Sequence, residues 1–343
     1  MMKAMLLRRI APLAVNPAPL VPADIPIPVP APGEVLIRVS VCGVCHTDID
    51  EIEGRAAPAH LPIVPGHQVV GRVEHTGAGV AGVRTGDRVG VAWIFSACGQ
   101  CRHCREGDEN LCAGFVATGK DVPGGYAEYM VAPAGFVHRI PEAFTDVEAA
   151  PLMCAGAIGY RSLRLAGIRD GDPLGLAGFG ASAHLVLQLV RRMYPRTAVA
   201  VFAREEGERA FARELGAAWT GTFQGAPPSQ LRAVIDTTPV WAPVLHALRH
   251  LGPGGRLVVN AIRKEDADRA VLQTIDYPSH LWMEKEIKSV ANVTRADVRG
   301  FLEAAARFQL RPATEEFPLG DANGALLGLK NRKIRGAKVL RIS

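Results

Sequence analysis

Three features are missing from this 343-residue sequence, and each absence excludes a class of protein. No segment holds the roughly 18 consecutive apolar residues that identify a membrane-spanning helix. The 39 lysines and arginines exceed the 34 aspartates and glutamates by only five, which is too small an excess for a nucleic-acid binder of this length. Internal repeats and low-complexity tracts are also absent. We therefore expect a globular protein of about two domains that binds neither membrane nor nucleic acid.

The opening stretch, MMKAMLLRRIAPLAV, combines positive charge with apolar residues, as a signal peptide does. Arg8 and Arg9 interrupt the apolar run before it reaches the length of a signal peptide. We therefore expect the protein in the cytoplasm, where thiols stay reduced.

Cysteine is present in an odd number, seven, and four of these residues lie together in the segment CGQCRHCREGDENLC. In a reducing compartment such clustering favours a metal site over disulfides. Cys98, Cys101, Cys104 and Cys112 have the spacing C-x2-C-x2-C-x7-C, which suits a zinc ion held by four thiolates with no position left for a substrate. We predict a structural zinc here; the alternatives are an iron–sulfur cluster or four unrelated buried thiols.

The segment CGVCHTDID, residues 42–50, holds two more cysteines, Cys42 and Cys45. On its own it is compatible with a redox dithiol, part of a zinc site, a haem attachment or a chance cluster. Cys45, together with His67 in PGHQVVG and Cys154 in LMCAGAIGY, would supply the three ligands of a catalytic zinc and leave a fourth position open. Spacing alone is a weak signal, because His67 could be a structural or surface histidine and Cys154 a small core residue.

The pattern of the chain changes near residue 155. Before it, β-like runs such as EVLIRVSV and VVGRVEHTG are separated by glycines and follow a proline-rich extended stretch at residues 16–33. After it, apolar runs such as PLGLAGFG and TAVAVFA alternate with helical segments such as ASAHLVLQLVRRMY and EEGERAFARELGA. This alternation predicts a parallel sheet covered on both faces. The final RADVRGFLEAAARFQ and KVLRI predict a helix and a closing strand.

Five motifs occur in the order found in one enzyme family: CGVCHTD, PGHQVVG, the four-cysteine segment, PLMCAGAIGY and AGFGASA. In these motifs, and over essentially its whole length, the chain resembles the zinc-dependent medium-chain alcohol dehydrogenases, with bacterial propanol-preferring members as the nearest type. The resemblance implies an α/β protein with a GroES-like β catalytic domain (residues 1–155 and 296–343) and a Rossmann cofactor domain (residues 156–295). It also implies two zinc ions per chain, NADP or NAD, a small alcohol or aldehyde substrate, and a homodimer or homotetramer.

The resemblance also assigns the ligands of the catalytic zinc. In the family, the thiolate directly before His-Thr-Asp binds this ion, which makes Cys45 a ligand together with His67 and Cys154. Asp48 matches the carboxylate that orients the zinc-bound histidine. Cys42 then becomes a neighbour without metal contact. Zinc acts as a Lewis acid that lowers the pKa of the bound alcohol, so that hydride can pass to the nicotinamide.

Two further positions match the family and two depart from it. Thr47 matches the hydroxyl that hydrogen-bonds the substrate alcohol and begins the proton exit, and His46 matches a basic contact to the cofactor pyrophosphate. Gln68 stands where many relatives have a glutamate with a role in zinc ligand exchange. Asp50 stands where many have a histidine that passes the proton to solvent. We therefore predict an altered proton relay, through Asp50 or water, with the reaction retained.

The segment GFGASA has the G-x-G-x-x-A pattern of a dinucleotide-binding turn, with Gly178, Gly180 and Ala183. The motif is weak alone, but it follows a strand-like run and begins a helix-like one. At the end of the next strand, where a carboxylate would hold the ribose of NAD, the sequence has Ala203 followed by Arg204. The missing carboxylate and the adjacent arginine favour NADP. The preference is only slight, because the two glutamates that come next could either begin a helix or bind ribose.

Trp93, in GVAWIFSACG, matches a family position that lines the alcohol pocket. A bulky ring there would favour short primary aliphatic alcohols, although Trp93 could equally be a packing residue at a domain edge. The alternatives for the whole chain are a polyol, cinnamyl-type or formaldehyde-type dehydrogenase on the same scaffold, or a zinc-binding relative without catalysis that acts as a scaffold or redox sensor.

Overall fold

The fold is taken from a computed structural model, which describes residues 1–331 and 335–343. Contacts between Cα atoms divide the chain into two units. The first unit comprises Met1–Ala157 together with Asn292–Ser343, and the second comprises Ile158–Ala291. The first unit is therefore built from both ends of the chain.

The strands of the described residues are numbered in chain order. They are β1 (Met2–Leu7), β2 (Leu20–Ile25), β3 (Glu34–Val44), β4 (Gln68–Thr76), β5 (Arg88–Val91), β6 (Ile94–Ser96), β7 (Val116–Ala117), β8 (Tyr129–Pro133), β9 (Val137–Arg139), β10 (Leu174–Ala177), β11 (Val199–Phe202), β12 (Trp219–Gly221), β13 (Leu231–Asp236), β14 (Leu251–Val259), β15 (Glu286–Ser289), β16 (Thr314–Pro318) and β17 (Ala337–Arg341).

The α-helices are numbered in the same way. They are α1 (His46–Ile52), α2 (Arg102–Glu106), α3 (Asp146–Ala149), α4 (Ala155–Ala166), α5 (Ala181–Met193), α6 (Glu206–Glu214), α7 (Ala242–His250), α8 (Tyr277–His280), α9 (Arg295–Arg307) and α10 (Ala322–Lys330). None of these helices, within the part of the chain that is described, combines the length and apolarity needed to cross a bilayer.

The first unit is organised around β3, which pairs antiparallel with β4, β8 and β17 in a seven-stranded sheet. Val35, Ile37 and Val39 alternate along β3 and are fully buried, because residues two apart share one face of a strand. Gly71 of β4 lies opposite Val39, and a Cβ atom there would come within 2.2 Å of the Arg38 carbonyl oxygen. The close approach of β3 and β4 therefore requires glycine at this position.

The second unit contains a six-stranded parallel sheet with the order β12-β11-β10-β13-β14-β15. Renumbered within the unit, this is the order 3-2-1-4-5-6 of a Rossmann fold. Helix α5 connects β10 to β11, and α7 connects β13 to β14. The predicted α/β class and the parallel sheet of the second half of the chain are confirmed.

Several predicted elements are present where the sequence patterns placed them. EVLIRVSV lies in β3. PLGLAGFG contains β10 and the glycine turn that follows it, and RADVRGFLEAAARFQ contains α9. The pattern before residue 155 predicted only strands and loops, whereas residues 46–52 form α1. A helix of seven residues is too short to show a clear apolar repeat, which explains why this element was missed.

Candidate functional site

Cys45, His67 and Cys154 come together in the first unit. One ligand atom from each residue lies within 4.8 Å of the other two. Pairing of β3 with β4 brings two of them close, because Gly43 lies opposite Gln68. Cys45 follows Gly43 by two residues, and His67 directly precedes Gln68. Cys154 follows a short 3-10 helix over Ala150–Met153. We call Cys45, His67 and Cys154 the ligand trio.

The His67 ring is fully buried, and a carboxylate lies beside it. Its Nδ1 atom is 3.0 Å from Asp48 Oδ1, although the two groups are not aligned for an ideal hydrogen bond. Asp48 Oδ2 accepts hydrogen bonds from the Cys45 backbone N–H at 2.8 Å and from the Tyr126 hydroxyl at 3.0 Å. His67 Nε2 has no hydrogen-bond partner among the described residues. One buried imidazole nitrogen with no protein partner and two thiols form a donor set that fits a zinc ion.

Neighbouring groups shift the pKa values of all three members of the trio. Burial disfavours the imidazolium, but the Asp48 carboxylate outweighs burial and raises the pKa of His67 well above its ordinary value. A hydrogen bond from the Cys154 thiol lowers the pKa of Cys45 well below that of a free thiol, and the same bond together with burial raises the pKa of Cys154. Cys45 is therefore the thiolate of this pair.

Cys42 is fully buried and lies outside the trio. Burial and the Asp48 charge raise the pKa of its thiol well above the ordinary value. Its sulfur packs so closely that a Cβ atom at Gly66 would come within 2.9 Å of it. A buried thiol with a raised pKa is unreactive, which argues against a redox dithiol of Cys42 and Cys45.

His46, Thr47 and Asp50 of the CGVCHTDID segment lie on α1. His46 is exposed and Thr47 is half-buried. Asp50 is nearly buried, and its Oδ1 atom pairs with Arg55 Nε at 2.6 Å. Burial raises the pKa of Asp50, and the Arg55 charge only partly offsets this.

Glu51, one residue further along α1, is a buried acid that the sequence patterns did not single out. Its side chain is 1% exposed, and its Oε1 atom accepts a hydrogen bond of 3.1 Å from Trp93 Nε1. Burial, and then the Asp48 charge, raise the pKa of Glu51 well above that of a free carboxyl group. The available signal was helical spacing, because Glu51 lies three residues after Asp48 and therefore on the same face of α1.

Trp93 is half-buried and lies between aromatic neighbours. Its ring centroid is 6.3 Å from that of His67, with the rings inclined at 61°, and 5.7 Å from that of Phe115. Trp93 therefore lies next to the trio, with its indole nitrogen held by Glu51.

The four-cysteine segment also comes together. The sulfur atoms of Cys98, Cys101, Cys104 and Cys112 all lie within 4.8 Å of one another, and no disulfide joins them. Cys98 Sγ and Cys104 Sγ are 3.9 Å apart, close to the ~3.8 Å edge of a zinc tetrahedron with bonds of about 2.3 Å. Backbone N–H groups of Cys101 and Gly114 donate to sulfur atoms of the cluster. This donor set suits a four-coordinate zinc ion.

The glycine turn of the second unit lies between β10 and α5. Gly178 has φ +83°, and a Cβ atom there would come within 2.8 Å of Thr237 Oγ1. Gly180 is the N-cap of α5, with no heavy atom within 4 Å of the position that a Cβ would take. Ala183 is buried in the first turn. The turn therefore presents backbone N–H groups at the start of a 13-residue helix, as a pyrophosphate site requires.

The residues after β11 differ in exposure and in partners. Ala203 is buried, whereas the Arg204 side chain is 62% exposed and pairs with Glu205. Glu205 is also the N-cap of α6. Glu206 pairs with Arg209 and with a second arginine of the same helix. Both glutamates therefore have roles at the start of α6.

Comparisons with known proteins agree with this arrangement. Residues 31–142 match the family model described as an alcohol dehydrogenase GroES-like domain. The chain is 41% identical to a probable alcohol dehydrogenase AdhA of Mycobacterium tuberculosis, over 99% of this chain and 97% of that protein. It is 34% identical to an alcohol dehydrogenase of Geobacillus stearothermophilus, over 90% and 92%. A thermostable alcohol dehydrogenase from Pyrobaculum aerophilum has a similar structure, with a TM-score of 0.88, 26% identity and 99% coverage of both chains.

A GroES-like unit and a Rossmann unit in one chain, with these relatives, define an alcohol oxidoreductase. More specifically, the chain belongs to the zinc-type medium-chain alcohol dehydrogenase family. The family predicted from the five motifs is therefore confirmed.

Proposed function

We propose that the protein interconverts small primary aliphatic alcohols and aldehydes, with hydride transfer to or from NADP or NAD, at a zinc ion held by the ligand trio. The observation that carries this proposal is the composition of the trio. Two thiols and one imidazole converge within 4.8 Å, and no fourth Cys, His, Asp or Glu of the described chain joins them. Three protein ligands leave one coordination position for a substrate, as in catalytic zinc sites.

The residues around the trio have defined roles in this proposal. When bound, zinc supplies a Lewis acid that lowers the pKa of the alcohol hydroxyl and polarises the aldehyde carbonyl. Asp48 lies next to Nδ1 of His67 and orients the ring, and the Tyr126 hydroxyl donates a hydrogen bond to Asp48. Thr47 accepts a hydrogen bond from the substrate hydroxyl and passes its own hydroxyl proton onward, which begins the exit of the proton. The overall reaction converts an alcohol and NAD(P)+ into an aldehyde, NAD(P)H and one proton.

The proton must then leave the site, and Asp50 stands at the position of the predicted relay. Its ion pair with Arg55 connects it to a half-exposed cation. We propose that the proton passes by Asp50 or by water, with the reaction retained. Gln68, 3% exposed, supplies a neutral amide next to His67.

We propose a second, structural zinc ion at Cys98, Cys101, Cys104 and Cys112. The cluster offers four thiol ligands and hence no position for a substrate. A related structure, 26% identical to this chain, is a cobalt- and zinc-bound thermostable alcohol dehydrogenase from Pyrobaculum aerophilum. With the trio, this gives two zinc ions per chain.

For the cofactor, we propose pyrophosphate binding at Gly178, Gly180 and Ala183, with His46 as an additional contact. NADP is slightly favoured over NAD. Ala203 offers no carboxylate for ribose hydroxyls, and Arg204 is exposed beside it. Glu205 is engaged as a helix cap, which leaves it less suited to bind ribose.

For the substrate, the Trp93 ring beside the trio supports short primary alcohols. A probable cinnamyl alcohol dehydrogenase of rice is 30% identical over 90% of this chain, which makes a bulkier aromatic alcohol the second candidate. A homodimer or homotetramer is proposed as the assembly. The exposed edge strand β15, which carries Ile287 at 51% exposure, is the proposed contact.

One assay tests the proposed function. NAD(P)H absorbance is followed with ethanol, 1-propanol, a secondary alcohol and cinnamyl alcohol, using each cofactor, before and after chelation. We expect turnover of short primary alcohols that chelation abolishes, with NADP preferred. Cys45→Ala should abolish turnover, whereas Cys42→Ala, the same change at the neighbouring buried thiol, should retain it. Absence of turnover by the zinc-loaded protein would instead favour a non-catalytic relative, and a strong preference for NAD would contradict the role of Arg204.

A further inference from the structure

Glu51 has an unsatisfied oxygen in the interior of the first unit. Its Oε1 atom is occupied by Trp93 Nε1, but its Oε2 atom is shielded from solvent and has no hydrogen-bond partner among the described residues. Asp48, one turn earlier on the same helix face, has its Oδ2 atom fully engaged and its Oδ1 atom beside His67. A buried polar atom without a partner is costly, and in a native structure it commonly marks a bound group.

The surroundings of Glu51 define which group would suit Oε2. Its carboxyl group interacts electrostatically with Asp48, His67 and Cys45, and Cys154 in turn experiences the charge of Glu51. All three members of the ligand trio are therefore within the electrostatic reach of this side chain. Most of these neighbours are anions or become anions on metal binding. A carboxylate among anions is unfavourable unless a cation is present among them.

A divalent cation at the trio satisfies these requirements. Its charge would favour the ionised form of a nearby carboxyl group. Trp93 restricts the freedom of Glu51, because its indole N–H holds Oε1. Carboxylates outside the first ring of metal ligands commonly strengthen metal binding in this way.

We propose that Glu51 is a positioning residue of the metal centre, a buried carboxylate that Trp93 holds through Oε1 and whose second oxygen interacts electrostatically with the ion of the ligand trio. This inference rests on the proposed metal binding at Cys45, His67 and Cys154. Glu51 would be a second carboxylate near the trio, after Asp48, on the same face of α1. The residue that follows His67, Gln68, is neutral and supplies no carboxylate.

The test measures metal affinity. Zinc affinity is determined by competition with a chelator, and cobalt(II) absorption spectra report the geometry of the trio site. Glu51→Gln keeps the side-chain size and an acceptor for Trp93 but removes the charge. We expect this change to weaken zinc binding at the trio by about tenfold or more. Trp93→Phe, which keeps a ring and removes the donor, should weaken it by a smaller factor and alter the cobalt spectrum.

Glu53→Gln is the matched control. Glu53 lies two residues further along the chain, and its side chain is 5% exposed, but it pairs with Arg55 and Lys330 and not with the trio. We expect its zinc affinity to stay within about twofold of the wild type, although its stability should fall. The melting temperature of metal-free Glu51→Gln should stay close to that of the wild type, because the amide keeps the acceptor for Trp93 and replaces one unpartnered buried polar group by another.

Two results would overturn the role of Glu51. One is an unchanged zinc affinity in Glu51→Gln, and the other is a weakened affinity that merely follows a loss of stability in the metal-free protein. Cys45→Ala separates this from the proposed function. If that variant binds one zinc fewer than the wild type while Glu51→Gln has unchanged affinity, only the role of Glu51 is wrong. If Cys45→Ala binds as much zinc as the wild type, the metal site of the proposed function is wrong as well.

Discussion

At the scale of single residues, buried polar groups in the first unit divide into those that are satisfied and those that are not. Asp48 is fully buried, its Oδ2 atom accepts hydrogen bonds from Cys45 and Tyr126, and its Oδ1 atom lies 3.0 Å from His67 Nδ1. His138 is also buried, at 3% exposure, but neither of its ring nitrogens has a hydrogen-bond partner in the described part of the chain. Asp48 helps to position the ligand trio. The burial of His138 without a partner, in contrast, lowers the free energy of unfolding by an amount that depends on pH.

The pH dependence of His138 follows from its surroundings. Burial, followed by the positive charges of Arg299 and Arg295, lowers its pKa to about 4, and the charge of Glu109 opposes this only weakly. An unfolded histidine titrates near 6.5. The unfolded state therefore binds a proton that the folded state refuses between these two values. The stabilising contribution is complete above pH ~6.5 and is lost as the pH falls towards 4, by about 3 kcal/mol in total.

We expect His138→Leu to remove this part of the pH dependence. Leucine has a similar size and no nitrogen to desolvate, so the free energy of unfolding at pH 7 should be equal or higher. Urea unfolding at several pH values between 4 and 8 measures the effect. His75→Gln, at an exposed position of β4, serves as the control and should leave the slope unchanged. Parallel curves for the wild type and His138→Leu would show that the pKa of His138 is the same in the folded and unfolded states, which would contradict its lowering by burial.

At the scale of elements, the four-cysteine segment is joined to the start of α9 by an ion pair. Arg295 donates to Glu109 from its backbone N–H, Nε and Nη2 at 2.9, 2.9 and 3.1 Å. The guanidinium carbon also lies 4.4 Å from the centroid of the Phe136 ring. Although burial opposes it, hydrogen bonding to Arg295 lowers the pKa of Glu109. The segment is therefore held by a nearly buried carboxylate as well as by its proposed metal.

Glu109→Ala should loosen this connection. It leaves Arg295 without its main partner, and we expect a loss of about 3 kcal/mol in the free energy of unfolding. Zinc bound to the four cysteines should also be released faster to a chelator. Glu106→Ala is the control, because Glu106 forms an exposed pair with Arg102 on α2 that contributes at most about 0.5 kcal/mol. Equal stability of the two variants would contradict the structural role of the Glu109 pair.

Helices and strands with long, regular patterns could be predicted from the sequence, but α1 and its contacts could not. The apolar runs of β10 and β11 and the amphipathic repeat of α6 identify themselves locally. The hydrogen bond from Trp93 to Glu51, in contrast, joins residues that are 42 positions apart. Nothing near either residue shows that bond. For the same reason spacing alone is only a weak signal for the trio, whose ligands are spread over more than a hundred residues, and resemblance to a family is needed to assign them.

At the scale of the whole molecule, one edge of the sheet in the second unit is exposed. In the second unit β15 forms one edge, and all its residues are exposed. Exposed apolar side chains lie on β15 and just before it, with Trp282 at 55%, Met283 at 49% and Ile287 at 51% exposure. An edge strand with apolar side chains is a template for pairing with another chain. In the proposed homo-oligomer, a second copy of this protein would pair antiparallel with β15 at that edge.

We expect Ile287→Glu to weaken this association, because it places a charge in the apolar contact. Light scattering after size-exclusion chromatography should show a smaller assembly than that of the wild type. Ile262→Glu changes an exposed isoleucine elsewhere in the second unit and should leave the assembly intact. A monomeric wild-type protein, or an unchanged mass for Ile287→Glu, would contradict pairing through β15.

The position of β17 bears on how the protein is made. β17 pairs with β3 over residues 41–44, immediately before Cys45, yet more than 290 residues separate the two strands in the chain. During synthesis the second unit emerges from the ribosome before this partner exists. Until residues 337–341 are translated, β3 of the nascent first unit has an unpaired edge next to the ligand trio. A nascent chain that ends before β17 thus contains all seven cysteines while the seven-stranded sheet of the first unit is still incomplete, and it exposes an unpaired strand edge that favours aggregation.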